Sequence, residues 1–161
     1  PSSGDMRGKP GILRLIALLE TLKPAGRTDL NTSLAHFAVR TRRPGLVLLI
    51  SDLLSDAGYA EGVSRLRFAR HDVVLLHLLS PAERNPELLG DVRLIDAETL
   101  AGVDVSANRA SLRAYARRLA TFLDDARAFA RRHACGYVLA NTATPFEDLL
   151  LKEFRALGLA R

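Results

Sequence analysis

Six oxygen-bearing residues fall close together along the chain: Thr28-Asp29, Ser51-Asp52 and Ser55-Asp56. Hydroxyls and carboxylates are hard donors, suited to Mg2+, Mn2+ or Ca2+ rather than Zn2+. Asp52 closes the run Arg43-Pro44-Gly45-Leu46-Val47-Leu48-Leu49-Ile50-Ser51-Asp52. Five consecutive apolar residues between a Pro-Gly start and a Ser-Asp stop read as a strand buried on both faces. In an open α/β sheet, ligands bind outside the carboxyl ends of the strands. An acid there can take a cation or a proton. Thr28-Asp29 follows Gly26-Arg27 at a helix start. Each residue also has a plain structural use. Thr28 or Asp29 can cap a helix, Asp56-Ala57-Gly58 can form a turn, and Ser51-Asp52 can simply end the strand. Singly, these uses suffice. Jointly, a Thr at one loop and an Asp at the next strand end suggest a shared metal site. Thr28 and Asp52 are then its ligands, with Asp29, Ser51 and Asp56 as accessory candidates.

Other chemistries lack their residues. There is no G-x-G-x-x-G and no G-x-x-x-x-G-K-[ST], so nucleotide binding has no motif. No G-x-S-x-G supplies a hydrolase nucleophile. His36 sits in a predicted helix, His71 and His133 precede predicted strands, and His77 lies within one. None shows metal-ligand spacing, so each reads as structural or exposed. Cys135, between a helix and a buried strand, reads as a small apolar filler.

These residues need elements to position them. The chain of 161 residues is long enough for one domain with a real core. A hydrophobic content of 48% and a charged content of 25% fit a globular protein. No apolar run approaches a membrane span and there is no secretory signal. A single cysteine excludes an internal disulfide. The setting expected is cytoplasmic, with membrane association reserved for a longer parent protein. The net charge of +5 invites a nucleic-acid reading. The basic residues are nevertheless scattered and mixed with acids, and aromatics are 6% with no Trp. Solvated helix faces explain the charge better, and no nucleic-acid partner is expected. The start at Pro1 without Met reads as a fragment or a processed product.

Helical periodicity covers Gly11 to Leu22, then a second helix from Thr28-Asp29 to about Arg40 that buries Leu30, Leu34, Phe37 and Ala38. Strand 46–51 follows, then a helix near 59–69 and a strand Val73–Leu78, apolar on both faces. Ser80–Gly90 reads as a polar loop. Val92–Ile95 and Val103–Val105 suggest a β-hairpin excursion over about 91–105. Ser106 or Asn108 starts a long helix to about Ala134, with Gly136 in the left-handed position after it. Tyr137–Ala140 is a third strand. Thr144-Pro145-Phe146-Glu147 has the form of a capping box opening a last helix to about Leu157. Alternation of helix and buried strand implies an α/β fold with a parallel, Rossmann-like sheet flanked by helices. Three core strands make a narrow sheet. The expectation is a single, truncated domain over 1–161, with strands upstream of Pro1 belonging to the fold.

Thr28-Asp29-Leu30 followed by Arg42-Arg43-Pro44-Gly45 and the strand to Asp52 resembles the second half of a von Willebrand factor A-like domain. Arg70-His71-Asp72-Val73-Val74-Leu75-Leu76-His77, Leu94-Ile95-Asp96-Ala97-Glu98-Thr99, Tyr137 and Thr144-Pro145-Phe146-Glu147 resemble the bacterial domain-of-unknown-function family fifty-eight. The resemblance runs over essentially the whole chain and consists of many medium-strength matches. It implies a metal-ion-dependent adhesion site, in which Thr28 matches the second-loop Thr and Asp52 the Asp after the fourth strand. The Asp-x-Ser-x-Ser loop that completes such a site is absent from this chain. Resemblance further implies a Mg2+-dependent protein-binding module that takes a partner's carboxylate. Family members are commonly encoded beside MoxR-type AAA+ ATPases, which implies an adaptor or co-chaperone and not an enzyme. The alternative is a metal-dependent phosphohydrolase or nuclease using strand-end carboxylates. Strand 46–51 is expected to be a sheet edge, through which copies of the chain can self-associate.

Overall fold

A computed structural model describes residues 8–23, 28–41, 43–88, 90–96, 101–149 and 155. The apolar runs become three parallel strands in the order β1-β2-β5: β1 (Leu46–Ser51), β2 (Asp72–Leu79) and β5 (Gly136–Asn141). Leu46 pairs with Asp72 and Ser51 with His77, while Val74 pairs with Gly136 and Leu79 with Asn141. The helices are α1 (Gly8–Thr21), α2 (Leu30–Arg40), α3 (Ala60–Phe68), α4 (Pro81–Arg84), α5 (Arg109–Arg132) and α6 (Phe146–Leu149). A separate antiparallel hairpin joins β3 (Gly90–Ile95) to β4 (Gly102–Ala107). The fold is therefore the expected α/β type, a Rossmann-like parallel sheet flanked by helices and carrying the hairpin.

The sheet face that carries Val73 and Leu75 holds the main core. Leu34 of α2, Val63 and Leu66 of α3, and Phe129 and Ala130 of α5 pack against it. Gly62 lets α2 and α3 meet closely: a Cβ there would lie 2.7 Å from the Leu34 Cβ. On the opposite face Leu76, Val138 and Ala140 cluster, with Leu149 of α6 against them. Arg67 ties three elements together. Its Nη1 donates to the His71 carbonyl at 2.7 Å and to Asp72 Oδ1 at 3.1 Å, and its Nε to the His133 carbonyl at 3.1 Å. His71 is buried at the head of β2, where its Nδ1 accepts the Gly45 N–H at 3.2 Å.

Several expectations need correction. β1 is not buried on both faces. Leu46 and Ile50 are each 56% exposed and Leu48 39%, while Val47 and Leu49 on the other face are half-buried. A run of five apolar residues signals burial only when both faces are covered, and β1 is the edge of the three-stranded order. Phe37 is 44% exposed rather than buried, although its ring lies 5.9 Å from that of His71. The stripe of α1 is also exposed, including Ile12, Leu13, Ile16 and Leu19. The polar stretch after β2 contains the short helix α4, capped when Ser80 Oγ accepts the Glu83 N–H and Glu83 reaches back to the Ser80 N–H. Asn108, rather than Ser106, caps α5, and the left-handed residue after it is Ala134 (φ 50), not Gly136, which opens β5. The first seven residues and 24–27, and the final helix beyond Leu149, fall outside the described residues apart from Arg155.

Candidate functional site

Asp52 leaves β1 at its carboxyl end, as its position in sequence requires. Its Oδ1 accepts the Leu54 N–H at 2.9 Å and lies 3.4 Å from Ser51 Oγ. Ser51 Oγ in turn accepts the Leu53 N–H at 3.0 Å. Leu53 between them has φ 60, a left-handed conformation costly for a leucine, yet its side chain is buried. Burial of Leu53 thus fixes the turn that carries Asp52. Among the described residues the hydrogen bonds of the Asp52 carboxylate go to Oδ1, and the residue is exposed.

Ser55 connects this loop to the one before α2. Its hydroxyl donates to the Thr28 carbonyl at 3.4 Å and accepts the Leu30 N–H at 3.4 Å. Asn31 strengthens the junction: its Oδ1 accepts the Gly62 N–H at 2.8 Å and its Nδ2 donates to the Ala57 carbonyl. Asp56-Ala57-Gly58 forms the expected turn, closed when Gly58 N–H donates to the Ser55 carbonyl at 2.7 Å. The two loops that carry Thr28 and Asp52 therefore adjoin through Ser55.

Asp29 is engaged locally. Its Oδ1 accepts the Thr32 N–H at 2.9 Å and its Oδ2 the Thr32 hydroxyl at 2.7 Å, which makes it the N-cap of α2. Those bonds hold its carboxyl below the usual carboxylate value. Among the described residues no group of three or more His, Cys, Asp or Glu is placed to share a metal ion.

Beside Asp52 lies a cleft of about 260 Å³ that sequence reasoning missed. Asp52, His77, Glu83, Tyr115, Arg118 and Phe122 line it. His77, read as structural, is buried on β2 opposite Ser51 and shares a 2.9 Å hydrogen bond from Nδ1 with the Tyr137 hydroxyl. Phe122 of α5 meets it edge-on at 5.4 Å. Burial holds the imidazole below its ordinary value of 6.5, against a hydrogen bond to the Asp52 backbone and the charges of Asp52 and Glu83. Ser80, through its side chain and backbone, lowers the carboxyl of Glu83, and the Tyr115 hydroxyl donates to the Glu83 carbonyl at 2.6 Å. The signal for this cleft was His77 itself, the one polar side chain between Val73 and Leu79.

An uncharacterized protein of Mycobacterium avium is 30% identical to this chain over 99 residues, which cover 62% of the chain and 58% of that protein. The match thus spans little more than half the length of the relative. No solved structure matches. Among the described residues no helix is long and apolar enough to cross a membrane. The family described as a protein of unknown function, DUF58, matches residues 5–125, and the chain belongs to it.

Proposed function

We propose that this domain is a metal-dependent protein-interaction module and not an enzyme. Its ligands are Thr28 and Asp52, with Ser51, Asp29 and Asp56 near them. One observation carries the reading: Ser55 holds the Thr28 loop against the Asp52 loop at the carboxyl end of β1. The donor types fit a hard cation such as Mg2+, with Mn2+ or Ca2+ as substitutes. The site is incomplete in this chain, and the further oxygen ligands come from an Asp-x-Ser-x-Ser loop supplied upstream, with water in what remains of the shell. A carboxylate of the partner protein displaces one of those waters. Asp29 has both oxygens committed to its cap, so it supports the loop rather than the ion.

In the same reading the partner is a MoxR-type AAA+ ATPase, and the domain serves it in the cytoplasm as adaptor or co-chaperone. The family resemblance supports this. Self-association through β1 belongs to the reading too, supported by its edge position and exposed leucines.

The reading is tested by adding Mn2+ to the 15N-labelled protein extended upstream so as to supply the Asp-x-Ser-x-Ser loop. Paramagnetic broadening should appear first at the amides of residues 52–55 and of Thr28. Broadening elsewhere, or none, would contradict it.

A further inference from the structure

The N-terminal part of α5 carries an uncompensated charge. Between Arg109 and Leu123 there are four arginines, at 109, 113, 117 and 118, and no Asp or Glu. Arg109, Arg113 and Arg117 are spaced four apart and so share one flank of the helix. Like charges at that spacing repel, and a cation in the first turn opposes the helix dipole. No acidic residue occupies that turn. Other arginines have partners: Arg65 pairs with Glu61, Arg67 with Asp72 and Arg127 with Asp124. Arg127 also lies over the Tyr137 ring. Among the described residues none of the four α5 arginines has an ion pair. Helix stability alone does not account for this arrangement.

The surface beside the arginines is open and shallow. A depression of about 500 Å³ lies along one flank of α5, lined by Ala114, Arg117, Arg118, Thr121, Phe122 and Asp125. Arg118 and Phe122 also line the smaller cleft at Asp52, so the two are contiguous. The charges sort an occupant. Carboxylates belong over Arg117 and Arg118, with Arg113 one turn before Arg117 on the adjoining flank. The small cleft, with Asp52 and Glu83 at its rim and Leu54 and Leu119 in its wall, repels a carboxylate and takes a neutral apolar side chain. Asp125 in the depression likewise works against a uniform polyanion such as nucleic acid.

We infer that the N-terminal half of α5 is a docking surface for an acidic, amphipathic segment of a partner protein. Its carboxylates pair with Arg113, Arg117 and Arg118, and one apolar side chain enters the cleft beside Phe122. The surface needs no metal ion; its cleft shares Asp52 with the Thr28–Asp52 reading, and a test without metal lets the two fail separately.

The test is fluorescence anisotropy in EDTA, with three labelled probes of twelve units. One peptide alternates Glu-Glu with Leu-Leu, a second has Lys in place of each Glu, and the third is oligo-dT. The acidic peptide should bind, and Arg113→Glu with Arg117→Glu should weaken it by about tenfold or more. Arg113→Lys with Arg117→Lys should keep most of the affinity, because charge rather than fork geometry is needed along the depression. The charge-reversed chain should fold normally by circular dichroism, since the carboxylate introduced one turn after Arg109 attracts it instead of repelling it. Undiminished binding by the reversed chain would overturn the inference. So would equal binding of oligo-dT or of the Lys peptide, or no binding of the acidic peptide at all.

Discussion

The Ser55 hydroxyl reaches the Thr28 carbonyl across 27 positions of sequence. That single bond, with the Leu30 N–H returning to the same oxygen, joins the loop after β1 to the loop before α2. The candidate ligands Thr28 and Asp52 thus belong to one mouth of the sheet.

Replacing Ser55 with Ala removes both contacts while leaving the strand intact. We expect a loss of about 0.5–1.5 kcal/mol in chemical denaturation. Amide exchange should rise at 28–30 and 52–55 and stay unchanged in β2. Exchange rising evenly over the molecule would mean that Ser55 has no local role.

Arg67 makes three hydrogen bonds to α5's end and β2's start. Arg67→Ala should destabilise the fold by about 1–3 kcal/mol, because two carbonyls lose their partner. Arg67→Lys should recover less than half, since a single ammonium cannot span the three acceptors. Urea midpoints of the two variants decide this.

His77 makes stability depend on pH. Its folded-state value lies below 6.5, chiefly through burial. The unfolded chain therefore takes up a proton first as pH falls. The contribution of His77 is full above about 6.5 and declines as pH drops through 6.5 toward the folded value. His77→Leu should flatten the denaturation midpoint between pH 7 and pH 5. An unchanged slope would show that another group titrates there.

Among the described residues β1 leaves one backbone edge unpaired, with Leu46, Leu48 and Ile50 exposed on one face of the strand. We expect concentration-dependent association in light scattering, reduced by Ile50→Lys, as charged residues blunt an edge. A wild-type chain that stays monomeric at high concentration would contradict this.

Much of the fold was legible in the sequence because each core strand is a short apolar run bracketed by Gly, Asp or Asn. β1 begins and ends where the run Leu46–Ser51 does. The edge position of β1 was expected, but how far each strand face is covered was not legible. Leu48 and Leu76 look alike in sequence, but one lies on the edge strand and the other under Leu149. Asp29 was one of two cap candidates, beside Thr28, and the turn at Gly58 was one of the readings open for Asp56–Gly58. The cleft at His77 was not, because it is assembled from β2, α4 and α5 over residues far apart in the chain. Ala134 in a left-handed turn defeated the Gly136 expectation. There the end of α5 closes locally, with the Cys135 N–H donating to the Ala130 carbonyl at 2.8 Å, on an alanine where glycine is the usual choice.

On the proposed function, Asp52 binds a divalent cation on behalf of a protein partner. The most direct test is calorimetric titration with Mg2+ and Mn2+, of this chain and of a form extended upstream, each with and without Asp52→Ala. The account predicts one binding event, strongest in the extended form, abolished by Asp52→Ala and weakened by Thr28→Ala. Metal binding that survives Asp52→Ala, or no binding by any form, would contradict it.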